Sequence, residues 1–466
     1  MIARRIFVPA LILPAMLMLD GCAGTPRPEE KSARAQVGQV GRELQAAPAS
    51  RDGGHPPIAK PSLPVLRPDS PPGDFVLYAT LNHPSVVAAY YDWLATVETI
   101  TPAGALPDPQ FTFQADVADT LMSFMPGLMF DLMGPGKRAA MGREAAATAD
   151  VARRAYITAV LRVAAEAHKA WVELAYIEGI DQLYTTTIHT AEEAIDLTNA
   201  EYATGRGMAT FDKQIQLENL VAQHHAHHAG LADRRVAAQA RFKSALGLTP
   251  DQADPVWPHP GLVATPVPSA DELWRRATVT NPELATMRAM VEMTVAGVAV
   301  ARQTGRPNFA VGAMVDLKAS PLMVRPTATI SLPVWRDKIA ATIAAAEARR
   351  DAAVARVSVE QLNVAAELAQ MLYMVREADR MIGYIDGTAL PNFERSDATL
   401  EVGVQSGMTS PVMIAETRMM AIDMRHERLE LLRQRETAVV DLNLLVADVA
   451  PTGAPLPDPN PSASTP

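Results

Sequence analysis

The sequence is short of cysteine, of aromatics and of positive charge. One cysteine, Cys22, stands in 466 residues, so neither a disulfide framework nor a CxxC motif can form within the chain. Phe, Trp and Tyr make up 5% of the residues, which leaves an aliphatic, alanine-based interior. The formal net charge of −10 argues against a nucleic-acid partner. No run of 18 apolar residues follows residue 21, so no transmembrane helix is expected and any membrane crossing falls to strands. No Ser-His-Asp set, phosphate loop or HExxH pattern has supporting context, so neither an enzyme nor a cofactor is expected. Proline is common at 37 residues, yet none falls between 136 and 204.

That proline-free stretch organises the chain. Between Ala139 and Ala170, 13 of 32 residues are alanine, interleaved with Arg153, Arg154, Arg162, Glu166 and Lys169. Alanine is the best helix former and the charged partners are nearly as good. At a rise of about 1.5 Å per residue the stretch makes a rod of roughly 100 Å, far longer than a soluble core holds. Such a rod packs sideways against other rods, and small side chains let the axes approach closely.

The start of the chain reads as an export signal over residues 1–21. Arg4 and Arg5 precede an apolar run from Ile6 to Leu19. Leu19-Asp20-Gly21-Cys22 resembles the bacterial lipoprotein cleavage box, with Asp20 as the one departure, and this assigns Cys22 as the lipidated residue. Ala23 after it, where an aspartate would retain such a protein at the inner membrane, implies the outer membrane. Acyl chains anchor through burial worth ~0.8 kcal/mol per CH₂. Residues 22–73 are punctuated by prolines and read as an extended linker. Residues 450–466 read as a disordered proline-rich tail.

Between these ends the order of elements occurs twice, over residues 74–250 and 269–449. Leu81 to Thr99 reads as a helix capped by Asn82, with Pro84 in its first turn. Gln110 to Val117 alternates apolar and polar, and Leu121 to Leu132 is a second extended segment. After the rod and Gly205-Arg206-Gly207, a helix runs from about Thr210 to Leu246. In the second copy Asn281-Pro282 opens a helix, 309–317 and 323–332 are strands, and Pro333 leads into a second alanine-rich rod that Pro391 interrupts or kinks. Glu201, Gly207 and Met208 recur as Glu401, Gly407 and Met408. The unit is helix, two strands, long helix, tight turn, helix. Four strands cannot close a barrel, and an open edge in lipid strands backbone groups at several kcal/mol each. Three chains together supply twelve strands, an even number within the bacterial range. The expected fold is mainly α with a small transmembrane β part, a trimeric barrel standing on a long helical barrel.

Several motifs in this order and spacing resemble the TolC-type outer-membrane efflux protein family, over roughly residues 74–447. They are Asn82 and Asn281 at the helix openings, Leu106-Pro107-Asp108-Pro109-Gln110, Gly136-Lys137-Arg138, Leu332-Pro333-Val334, Leu390-Pro391-Asn392 and the two glycine turns. The resemblance implies a homotrimer in outer-membrane lipid with a periplasmic tunnel. That tunnel docks on an adaptor (membrane fusion) protein and an inner-membrane RND pump. It implies a passive duct rather than an enzyme. The Leu-Pro-Asp-Pro-Gln entry looks most like the branch serving heavy-metal pumps, with multidrug efflux or type I secretion as alternatives. A reading of another class is a structural lipoprotein without a pore.

The same resemblance places Gly205, Arg206, Gly207 and Met208, and Ser406, Gly407, Met408 and Thr409, at periplasmic tips that meet the adaptor. It places Glu416 at the narrow end of the tunnel, where a threefold ring of carboxylates favours cations and repels itself. Asp212 has the similar position in the first repeat, as a cap or ion-pair partner. Glycine also suits these turns simply because it accepts positive φ. His224 and His228 stand i, i+4 on one helix face, the spacing of two metal ligands, against the plainer reading of a polar face. Met122, Met125, Met129 and Met133 crowd the second strand; thioethers suit Cu(I), while packing against lipid or a neighbouring chain is the simpler use.

Overall fold

The computed structural model describes residues 28–45, 62–117, 121–204, 211–258, 261–406 and 408–458. The signal stretch, Cys22 and residues 205–210 lie outside them. Helix α1 spans Pro28–Glu43. The first repeat then runs α2 (Pro72–Asn82), α3 (Pro84–Glu98), a single turn α4 (Ile100–Gly104), β1 (Gln110–Val117), β2 (Leu121–Leu132), α5 (Lys137–Thr204) and α6 (Phe211–Ala245). The second runs α7 (Ala270–Thr280), α8 (Pro282–Gln303), β3 (Asn308–Asp316), β4 (Met323–Ser331), α9 (Arg336–Tyr384), α10 (Leu390–Gln405) and α11 (Pro411–Leu445).

The 68-residue rod α5 is the axis of the molecule, packed along α6, α8 and α11. Its alanines do what their size allows: Ala164, Ala165, Ala167 and Ala175 are at most 2% exposed between neighbouring helices. At Gly179 a Cβ would stand 2.9 Å from Leu429 Cδ2, so α11 is seated against bare backbone there. The few aromatics gather in the largest core, where Trp93 stacks on Tyr156 at 5.5 Å and Phe75 meets Phe242 at 5.6 Å. A second core joins Leu273 and Leu284 to Val364, Leu368, Val439 and Leu442, the counterpart in the other repeat.

Pro391 acts as expected. The second rod passes through a π-helical turn, Ile385–Ala389, just ahead of it. Proline lacks a donor and crowds the carbonyl four residues back, and a wider turn relieves both.

Four expectations are corrected. The linker is not extended throughout: α1 lays Val37, Val40 and Leu44, one apolar stripe, into the main core, and Arg34 bonds Glu98 at 2.7 Å. The tail is not disordered over its described part, because Tyr156 Oη donates to Pro455 O at 2.5 Å and Gln36 Nε2 to Asp458 O at 3.3 Å. Within the tail Ala454 N donates to Pro451 O at 3.1 Å and Leu456 N to Ala454 O at 2.7 Å, and the carbonyls of Pro455 and Asp458 take partners from the body. Asn82 is not the cap of α3. His83 caps it, accepting from Ser85 N, while Asn82 Nδ2 donates to Leu246 O at 2.8 Å. Finally, residues 270–303 are apolar and long enough to cross a membrane by length and composition. They form two helices parted at Asn281-Pro282, of which α8 packs along α5 and α9.

The four strands make one antiparallel sheet in the order β1-β2-β3-β4. Below it Lys137 Nζ donates to Arg306 O at 2.9 Å and Asn308 Oδ1 at 2.7 Å, and Arg306 Nη1 to Pro135 O at 2.6 Å. These bonds join the two repeats where strands become rods.

Candidate functional site

The sheet register sorts side chains by chemistry. Phe111 pairs with Leu128, Phe113 with Pro126 and Ala115 with Phe124; Phe309 stands between Leu132 and Ile330, and Val311 between Phe130 and Ala328. Ala313 with Pro326 and Val315 with Val324 complete that face. Every residue on it is apolar. The opposite face holds Gln110, Thr112, Gln114, Asp116, Ser123, Asp131, Asn308, Asp316, Arg325, Thr327 and Thr329, with Met125, Met129, Met314 and Met323 among them. Its carboxylates are held: Ser123 Oγ donates to Asp116 at 2.7 Å, Gln110 Nε2 to Asp131 at 2.9 Å, and Arg325 pairs with Asp316 at 3.2 Å. The two methionines of β2 that lie in this register therefore stand on the polar face, not the apolar one. On the apolar face Phe111 and Phe113 are each 69% exposed and Ile330 58%, so the bare face is large and contiguous.

At the far end of the rods the second turn is described apart from Gly407; Gly205, Arg206, Gly207 and Met208 lie outside the described residues. Ser406 ends α10 and donates from Oγ to Gly403 O at 3.0 Å. Met408 N donates to Gly403 O at 2.8 Å, which leaves its side chain 80% exposed. Thr409 packs on Gly403, and these residues with Leu400 and Val402 line a groove of about 530 Å³. Ser410 caps α11 and also donates to Glu201, tying this turn to the end of the first rod. Behind it Ala191, Ala194, Leu217, Ala415 and Met419 form a small core of α5, α6 and α11. Glu416 is half-buried beside that core. Asp212 is exposed in the first turn of α6, where it accepts from Gln216 Nε2 at 2.8 Å.

The histidines gather around Tyr184 of α5. His224, His227 and His228 of α6 lie 6.2–6.3 Å from its ring, and His426 of α11 stands edge-on at 4.8 Å. Burial lowers the pKa of His224 and of His426, partly opposed in both by Asp423. His228 Nε2 is 3.0 Å from Asp181, whose other oxygen accepts from Arg235 at 3.0 Å. Among the described residues no group of three or more His, Cys, Asp or Glu side chains is arranged to hold a metal ion. Tyr184 and His426 were invisible to local spacing because they come from other helices.

With this geometry in place, the second repeat is matched by the family model described as outer membrane efflux protein, over residues 273–447. Residues 273–447 are similar in sequence to an outer membrane efflux protein repeat. No protein of curated function matches the sequence. Among solved structures, the outer membrane protein VceC of Vibrio cholerae is 16% identical, with 82% of this chain and 96% of that one covered at a TM-score of 0.66. The open-state MtrE outer membrane channel of Neisseria gonorrhoeae is 14% identical, covering 85% and 98% at 0.66. CusC, described in terms of folding and transmembrane channel formation, is 14% identical, covering 84% and 98% at 0.67. At such identities the likeness is one of fold. It extends the efflux-protein architecture to the first repeat, which the family model does not reach. The TolC-type resemblance is thereby borne out.

Proposed function

We propose that three copies of this chain build an outer-membrane exit duct of a tripartite efflux system, passive, gated at its periplasmic tip and exporting heavy-metal cations. The carrying observation is a sheet with one wholly apolar face whose edge strands, β1 and β4, each have one neighbour only among the described residues. In lipid those edges need partners, and β4 of one copy beside β1 of the next closes a twelve-stranded wall. The apolar face then meets lipid, and the face with Asp116, Asp131 and Asp316 lines water. Exposed Val354, Leu362, Tyr373 and Tyr384 on α9 supply the matching surfaces between rods. Cys22 carries the lipid anchor. The tips at 205–208 and 406–409 meet the adaptor of an RND pump, and Glu416 contributes a threefold acidic ring above them. Metal cations are favoured over drugs by the Leu106-Pro107-Asp108-Pro109-Gln110 entry and by the acidic wall, which passes cations more easily.

Single-channel recording in a planar bilayer tests the duct: stable, cation-selective steps are expected, and well-folded protein that gives no steps refutes it. Deleting the gene is expected to sensitise cells to copper, silver, zinc, cobalt or cadmium. Loss of dye and detergent tolerance alone would shift the cargo to drugs. Cys22→Ser is expected to abolish labelling by a clickable palmitate analogue; retained label overturns the anchor.

A further inference from the structure

Met125 and Met129 flank Gly127 on β2, on the polar face, and Gly127 pairs with Met314 of β3. A Cβ at Gly127 would lie 2.6 Å from Met314 Cγ. The Met314 side chain therefore crosses β2 at the one place between the other two methionines that holds no side chain. Diagonal neighbours across an antiparallel pair are ~7–8 Å apart, within reach of long side chains. Methionine has three rotatable bonds and a polarisable sulfur, so three thioethers can turn toward a common point. Met125 is 3% exposed, and Met129 and Met314 are half-buried. The surrounding wall is Thr112, Gln114, Asp116 and Arg325, a setting in which three apolar side chains need a reason.

We infer that Met125, Met129 and Met314 form a thioether site for a soft monovalent cation, Cu(I) or Ag(I), on the inner wall of the duct. The inference rests on the duct reading, because it takes the polar face as the lumen. Neutral sulfur ligands select soft ions and leave hard divalent ions to carboxylates and water. Three copies of the chain place three such sites at one level, a relay for ions passing outward.

The test is titration of the purified full-length protein in detergent with Ag(I), with silver-edge X-ray absorption to identify the ligands. Wild type is expected to bind one silver per chain with sulfur neighbours. Met125→Leu/Met129→Leu/Met314→Leu is expected to weaken binding at least tenfold, whereas Met420→Leu, an exposed methionine of α11, is expected to change nothing. Leucine keeps the volume, so packing alone predicts no difference. Silver binding that survives in the triple variant, or a wild type that binds none, overturns the inference. Bilayer recordings of both proteins in silver-free buffer judge the duct separately: conducting steps without a silver site sink this inference alone, and absent steps sink the duct.

Discussion

Asn82 and Asn281 open equivalent helices and tie them to equivalent places. Asn82 Nδ2 donates to Leu246 O, and Asn281 Nδ2 to Leu445 O at 3.1 Å. Only Asn281 also caps, accepting from Leu284 N at 2.9 Å, because His83 intervenes before Pro84 in the first copy. Asn281→Ala is therefore expected to cost about 1–2 kcal/mol, seen as a lowered melting temperature. At Gly247, φ is +74° and a Cβ would meet His83 Cα at 2.6 Å, so this joint requires glycine. His224 and His426 give a pH prediction. Burial holds both below the ordinary 6.5, so the unfolded chain takes up protons first as pH falls. Their neutral forms support the fold above 6.5, and that support is lost as pH drops through the lowered values. Melting temperature is expected to fall between pH 7 and pH 5.5, and to fall less in His426→Gln. Calorimetry at the two pH values checks this.

The elements were largely legible. β1, β2, the rods and the break at Pro391 stand within a residue or so of where alternation, alanine content and proline place them, since these are local properties of the chain. α1 and α2 were not, because prolines on either side hide short helices whose stability comes from docking on the core. The hairpin of α10 and α11 was legible as a turn, but not as a zipper. Arg418 bonds Asp397 through two nitrogens at 2.9 and 3.1 Å and Glu401 at 2.9 Å. Its side chain is 47% exposed, so Arg418→Ala is expected to cost less than about 1 kcal/mol. It should nevertheless quicken amide exchange in residues 395–402 of α10, measured by mass spectrometry, since those carboxylates then lose their tie to α11.

At the scale of the whole molecule the two sheet faces decide the behaviour. In the proposed duct, Phe130→Arg puts a charge on the lipid-facing side, at a cost that falls from about 2–4 kcal/mol at the bilayer midplane to about 0–1 near the interface. It is expected to deplete the proposed trimer, whereas Thr329→Arg on the opposite face is expected to leave assembly intact and reduce cation conductance. Trimer yield after membrane extraction and bilayer recording separate the two. By itself the sequence determined the duplicated plan, the rods and the strands, because periodicity and composition are carried by neighbouring residues. Only the tertiary structure decided which strand residues share a face, that Met314 lies over Gly127, and that His426 joins Tyr184. Strand register and helix rotation are set by contacts between residues far apart in the chain, and no local pattern encodes them.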